Sequence, residues 1–221
     1  MATAKKRKKK NKIKIFPIIL VLIIVGGLFA WYHLDSIVKK AKNFNPSNFT
    51  YPTKYEEYVI KYSNKFDIDA RFVYAIINTE SHFDPNATSD VGARGLMQLM
   101  DEAYNWVKFR LDDTRKHTFD DMYDPELNIE YGTYMLKYLY DRYDGSYELT
   151  AAAYHGGMGA VDGWIEAGTI DPKDFKLEDV PSDVTANYIY KVTNAYNKYK
   201  DKLKDYDKTT NERNAKNGQK K

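Results

Sequence analysis

Residues 69–99 read DARFVYAIINTESHFDPNATSDVGARGLMQL. The first third is a helix signature. Asp69 offers a side-chain acceptor to cap it, and Phe72, Val73, Ile76 and Ile77 recur at spacings of three and four. Glu80 closes this helix three and four residues after Ile77 and Ile76, so its carboxyl shares their inward face. A carboxyl held over apolar surface favours its neutral form and can act as a general acid near neutral pH. A single glutamate at a helix end is more often a solvated surface group, and spacing alone leaves both readings open. After Ser81 the chain enters a segment rich in turn formers, with Gly92 and Gly95, and then meets apolar sequence at Leu96, Met97 and Leu99. A loop that returns beside a helix end can wall a cleft. Gln98 brings to it an amide donor and acceptor of the kind that binds sugar hydroxyls or an N-acetyl group.

The helical period continues outward. Thr53 and Glu56 have capping-box spacing ahead of Tyr55, Tyr58, Val59 and Tyr62. Pro125 suits the first turn of a long helix through Tyr143, with Leu127, Tyr131, Met135, Tyr138 and Leu139 along one stripe. A shorter helix covers 147–154, after which Gly156, Gly157 and Gly159 are expected to break the chain, leaving Tyr154 and His155 to project into a groove. Ser182 or Asp183 caps a final helix carrying Tyr188, Val192, Ala195, Tyr196 and Tyr199 on one side. No run alternates in the strand period. The fold class predicted is all-α, in one domain over 53–205.

The flanks are of another kind. Residues 1–14 hold eight Lys or Arg and no acid, and residues 15–32, IFPIILVLIIVGGLFAWY, carry no charge at all. Eighteen helical residues span roughly 27 Å, close to bilayer hydrocarbon thickness. The basic cluster resists translocation, so 1–14 is expected in the cytoplasm, 15–32 as a single-pass signal anchor, and everything later outside the cell membrane. Cleavage after Ala30 would put Leu28 where signal peptidase wants a small residue, which favours an uncleaved anchor. Residues 33–52, polar and holding Pro46 and Pro52, read as a stalk, and 206–221 as a disordered polar tail.

Composition narrows the function. Of 34 Lys+Arg and 31 Asp+Glu, thirteen basic and two acidic residues lie in 1–14 and 207–221, which leaves 15–206 with 29 acids against 21 bases. So acidic a body is a poor polyanion binder, and a nucleic-acid partner is not expected. The absence of cysteine removes disulfides, thiol nucleophiles and thiolate metal sites. His33, His82, His117 and His155 share no metal-ligand spacing, and there is no phosphate-binding glycine loop, so neither metal nor cofactor is expected. Asp112-Asp113 and Asp120-Asp121 read as solvated loop or cap residues.

Four blocks then combine: Glu80-Ser81 with Phe83 and Pro85; Gly92-Ala93-Arg94-Gly95-Leu96-Met97-Gln98; Ala153-Tyr154-His155-Gly156-Gly157; and Thr185-x-x-Tyr188-Ile189-x-Lys191-Val192. In order and spacing, over about 55–200, they resemble the catalytic domain of the soluble lytic transglycosylases, a lysozyme-like all-α fold that cuts peptidoglycan. The resemblance implies Glu80 as the catalytic acid at the bond between N-acetylmuramic acid and N-acetylglucosamine. Glu80 would then accept the muramoyl C6 hydroxyl proton as that oxygen closes on C1, giving a 1,6-anhydro end without water. It implies Ser81, Gln98 and Tyr188 around that carboxyl, Met97 packing beside the substrate, and Tyr154 and His155 at the groove floor, with glycan strands as the partner. The sequence departs from the family at His155, where asparagine is usual, and at Val184, where glutamate is usual. His155 retains one hydrogen bond and can titrate, so it either tunes fit and pH response or only maintains the turn. Two other functions fit the same blocks: a hydrolytic muramidase in which Asp90, or Asp84 behind it, activates water, and a non-catalytic glycan-binding scaffold.

Overall fold

The computed structural model describes residues 51–204. The basic segment, the anchor, the stalk up to residue 50 and the polar tail therefore lie outside the described residues. Seven α-helices run in order: α1 Glu56–Phe66, α2 Ala70–Glu80, α3 Asp101–Arg110, α4 Pro125–Arg142, α5 Tyr147–Gly156, α6 Met158–Glu166 and α7 Asp183–Lys202, with 3-10 turns at Phe119–Tyr123 and Leu177–Asp179. The described residues hold no strand, only isolated bridges pairing Arg94 with Thr88 and Leu99. None of their helices is long and apolar enough to cross a membrane.

Three helix starts follow the sequence. The Asp69 carboxylate accepts the Arg71 N–H, the Asp124 carboxylate accepts the Leu127 N–H with Pro125 just inside the helix, and the Ser182 hydroxyl accepts the Thr185 N–H. The capping box read at Thr53 and Glu56 does not form. Tyr55 stands at the start of α1 with φ 59° and no side-chain cap. Tertiary contacts fix this end instead, because Tyr199 Oη donates to the Pro52 carbonyl at 2.7 Å and Lys202 Nζ to the Tyr51 carbonyl at 2.8 Å. Of the three glycines expected to break the chain, only Gly157 does so. It sits at φ 84°, while Gly156 still belongs to α5 and Gly159 lies inside α6, a helix that the glycine run concealed.

The main core gathers α1, α2, α4, α5 and α7, with α2 and α7 making the most extensive helix pair. Phe72, Val73, Ile76 and Ile77 of α2 are fully buried, as the period required. Each such side chain contributes about 1.5–3 kcal/mol. The two helices run in opposite senses: Tyr196, late in α7, donates to Asp69 at the start of α2 (2.8 Å), and Tyr188, early in α7, meets Glu80 at the end of α2. A second, smaller core forms under α3, from Leu99, Tyr104, Val107, Met122, Leu127 and Tyr131. The Asp113 reading is corrected. Its carboxylate is buried and accepts hydrogen bonds from Arg115 and Tyr131, and the Arg115 guanidinium holds its pKa far below the usual carboxylate range.

The loop between α2 and α3 is anchored from below by Asn128, a fully buried residue of α4. Its Oδ1 accepts the Met97 N–H (2.8 Å), while its Nδ2 donates to the carbonyls of Arg94 (2.9 Å) and Met122 (2.8 Å). Gly95 lies so close that a Cβ there would fall 2.1 Å from the Met122 carbonyl oxygen, and its φ of +75° excludes other residues as well. Asn128→Ala strands the Met97 N–H and the Met122 carbonyl, while the Arg94 carbonyl keeps the Leu99 N–H (3.1 Å). We expect a loss of about 3 kcal/mol and a Tm lower by about 6–12 °C. Thermal unfolding followed by circular dichroism measures this, and a shift under about 3 °C would refute the anchoring role.

Candidate active site

Glu80 is the last residue of α2, where the helix hands its chain to the loop. Ser81 secures the hand-over: its hydroxyl donates to the Leu96 carbonyl (2.7 Å) and its N–H to the Ile77 carbonyl (3.1 Å). The Glu80 carboxyl itself is partly buried above the apolar side chains of α2. Burial raises its pKa, the hydrogen bond donated by Tyr188 Oη (2.6 Å) opposes the rise, and the balance leaves the pKa at about 7. Desolvation wins because one hydrogen bond replaces only part of the hydration a carboxylate loses.

Two phenols complete the cluster. Tyr188 is buried, and its pKa is raised well above the ordinary value first by burial and then by the Glu80 charge. Tyr154 is raised for the same two reasons, and its Oη donates to the Met97 carbonyl at 2.7 Å. Both stay protonated: Tyr188 gives its one donor to the carboxyl that changes state, while Tyr154 gives its own to the Met97 carbonyl. His155 lies against Tyr188 with ring centroids 4.6 Å apart and planes at 28°, and its Nδ1 is 3.3 Å from the Thr185 hydroxyl. Partial burial lowers the His155 pKa, which keeps the imidazole neutral at physiological pH. Val184 is 69% exposed in the first turn of α7, so the missing family glutamate leaves no buried partner stranded there.

The structure separates residues the sequence had grouped. Glu80, Tyr154, His155 and Tyr188 come together. Gln98 spends its amide nitrogen on the Ala87 (3.0 Å) and Gly95 (2.9 Å) carbonyls, leaving its oxygen as the group it can offer a ligand. Ser81 and Met97 lie beneath the surface. Met97 is fully buried with its sulfur against Gly132, where a Cβ would come within 2.4 Å. Left-handed backbone occurs at His82 (φ 51°), Phe83 (φ 64°) and Gln98 (φ 48°), at both ends of the loop. Each costs about 1–3 kcal/mol and persists only where surrounding contacts enforce it, as at functional sites. Asn128 escaped the sequence reading as part of the site, and Thr185, which opens the fourth block, was given no role in it. Asn128 left a signal, a polar residue between Leu127 and Ile129 on a helix bound for the core.

The Glu80 environment has a stability consequence whose sign is fixed. Its folded pKa of about 7 exceeds the unfolded value near 4.5, so its contribution is fully present below about pH 4.5 and is lost as pH rises through 7. Glu80→Gln removes that loss. At about pH 8 the variant is expected to be more stable than the native chain by up to about 3 kcal/mol, the gap closing near pH 4. Urea unfolding at both pH values decides it, and a variant no more stable at the higher pH would contradict the burial argument.

Comparison with known proteins places this geometry. The family model for the transglycosylase SLT domain matches residues 57–174, ending before the helix that carries Tyr188. A soluble lytic murein transglycosylase of Salmonella typhimurium is 35% identical over 153 residues, which is 67% of this chain and 23% of that protein. A membrane-bound lytic murein transglycosylase C of Edwardsiella ictaluri is 30% identical over 169 residues, 66% of this chain and 46% of that relative. Among solved structures, the 70 kDa soluble lytic transglycosylase of Escherichia coli superposes with a TM-score of 0.65 at 30% identity, covering 69% of this chain and 25% of its own. The chain thus spans about a quarter of the soluble relatives it matches and about half of the membrane-bound one. With more than half its length matched and the helices and loop in the order described, the chain belongs to the transglycosylase SLT domain family.

Proposed function

We propose that this chain is a peptidoglycan lytic transglycosylase in which Glu80 moves the proton in both halves of the reaction. In the first half the protonated carboxyl donates to the glycosidic oxygen, the C1–O bond breaks with its electron pair leaving on that oxygen, and an oxocarbenium-like muramoyl centre develops. In the second half the Glu80 carboxylate accepts the proton of the C6 hydroxyl while that oxygen bonds to C1. Atoms and charge balance without water, and the carboxyl ends protonated for the next cycle.

The observation that carries this reading is the condition of Glu80. A carboxyl poised at about 7 is half protonated at neutral pH, suited to give and then take a proton. The groups acting on it among the described residues are two phenols, with no second carboxylate. Hydrolytic glycosidases place a pair of carboxyls about 5–9.5 Å apart. Here the two candidates for the partner are exposed in the loop, and Asp84 already accepts the Asn86 N–H at 2.9 Å. Tyr188 steadies the carboxylate form while Glu80 waits for the C6 proton. Gln98, Tyr154 and His155 are the groups proposed to meet the sugar, with Ser81 and Met97 supporting them from beneath. The names of the relatives support the same chemistry.

The domain is proposed to act outside the cell membrane, held by residues 15–32 as an anchor. The support is the uncharged run behind its basic cluster and the existence of a relative named as membrane-bound. Carbonate-resistant membrane association of the full-length chain, lost on deleting residues 1–32, is the expected result. A released form starting near Trp31 would oppose it.

The reaction is tested by mass spectrometry of muropeptides released from purified peptidoglycan. Expected are products one water lighter than hydrolytic ones, a loss of at least about 100-fold with Glu80→Gln, and near-native turnover with Asp90→Asn. Reducing ends, together with a severe Asp90→Asn defect, would replace this reading with hydrolysis. Binding without products would favour the scaffold.

A further inference from the structure

Tyr188 has a single O–H and gives it to Glu80 (2.6 Å), so where that proton points depends on how the phenol ring is held. One face of the ring is covered by the His155 imidazole, with centroids 4.6 Å apart and planes at 28°. The imidazole is held in turn. Its Nδ1 is 3.3 Å from the Thr185 hydroxyl, and that buried hydroxyl has no other hydrogen-bond partner among the described residues. Thr185 and Tyr188 lie three residues apart, on one face of α7. From the last turn of α5, His155 therefore spans two adjacent turns of α7, with a ring edge on Thr185 and a ring face on Tyr188.

The same placement gives the ring an electrostatic reach. Stacked at 4.6 Å on a phenol whose oxygen is 2.6 Å from the carboxyl, a charge on His155 would stand within about 10 Å of Glu80, about one screening length at physiological salt. The titratable groups around the ring are Glu80 from α2, Tyr188 from α7 and Tyr154 on α5 itself. Asp183 and Lys191 flank them on α7, and Asp162 of α6 is paired with Arg142 (2.6 Å). None of these shifts the His155 pKa, which burial alone lowers from the ordinary 6.5. The ring is thus neutral at pH 7 and has no carboxylate to offset its charge once it protonates.

That charge would oppose the proposed chemistry twice. It would repel the positive centre that develops at C1, and by favouring the Glu80 carboxylate it would draw the proton off the acid. We propose that His155 is a positioning residue for the reaction: its neutral ring braces Tyr188 so that the phenol stays aimed at Glu80, while its protonated ring opposes the charge that the reaction develops. The stack itself survives protonation, since a cation over a phenol face is attracted to it, so what changes is charge and not shape. The inference deepens the lytic transglycosylase reading and rests on it. It assigns the acid limit of activity to His155 and the alkaline limit to Glu80, whose protonated form is lost as pH rises through about 7.

Two measurements on the full-length chain in detergent test it. The first is the pH profile of anhydro-end release for the native chain, His155→Phe and His155→Ala. The native kcat/KM is expected to fall on the acid side, below pH 6.5, and on the alkaline side above about 7. Phenylalanine keeps the ring and cannot titrate, so that variant should hold kcat within about threefold at pH 7 and lose the acid limb, whereas alanine should lower kcat about tenfold. The second follows the Tyr188 Cζ resonance in protein labelled with carbon-13 at tyrosine, assigned through Tyr188→Phe. Two steps are expected in the native chain, one at about 7 and one below 6.5, and only the first in His155→Phe. A native profile without an acid limb, a limb that persists in His155→Phe, a phenylalanine variant as slow as the alanine one, or a Tyr188 resonance with no step below 6.5 overturns the proposal. If the native chain releases no anhydro ends, yet both Tyr188 steps appear and the lower one is lost in His155→Phe, the catalytic reading fails and the brace stands.

Discussion

The hydrogen bond from Tyr188 to Glu80, 2.6 Å long, joins the two helices on which the domain is built at the point where the chemistry is proposed. It works against burial. Taking a carboxyl into the α2–α7 seam raises its pKa, and the phenol recovers part of the lost hydration, so the group settles near neutrality rather than at either extreme. Without the phenol the pKa would lie higher still, and a hydrated carboxyl would be ionised throughout the physiological range. The poise depends on register, and register is set at both ends of the seam, since Tyr196 reaches Asp69 across the far end. The buried side chains packed between them, such as Phe72, Ile76, Ile77, Val192 and Ala195, are apolar, and apolar packing has no direction of its own.

The site also sits where the two cores meet. Tyr154 packs against both, and its hydroxyl grips the Met97 carbonyl, so the loop bearing Gln98 is tied to α5 from one side and to α4 through Asn128 from the other. Sites built on rigid elements hold their geometry better than sites on free loops. Here a loop with left-handed residues at both ends becomes rigid because its carbonyls and amides are spoken for. A second polar cluster, in which Arg115 bridges Asp113 and Glu130 while Lys65 also reaches Glu130, closes the far end of α3 and frames no part of the proposed chemistry.

Where local physics settles a matter alone, the sequence was legible. Asp69 and Ser182 cap their helices because a carboxylate or hydroxyl before an apolar period has a bare N–H within reach, and Pro125 opens its helix as its fixed φ allows. The inward face of α2 and the place of Glu80 on it followed from the same period. The capping box read at Thr53 and Glu56 does not form, and tertiary bonds to the Tyr51 and Pro52 carbonyls hold that end instead. The helix after Gly157 was hidden by its glycines, whose low helix propensity is overridden once Val161 is buried. Among the residues singled out for the site, Glu80, His155 and Tyr188 lie together in the fold. Ser81 and Met97 carry the same family motif but turn inward, since motif position cannot tell a residue that touches a ligand from one that supports its neighbour.

The account stands or falls on the protonation of one carboxyl, which can be observed directly. Carbon-13 NMR of the full-length chain labelled at glutamate, with the Glu80 resonance assigned through Glu80→Gln, gives its titration curve without substrate or turnover. The account predicts a midpoint at about 7, well separated from the other glutamates. A midpoint in the ordinary range near 4.5 would show a hydrated carboxylate at neutral pH, and Glu80 could not then serve as the acid.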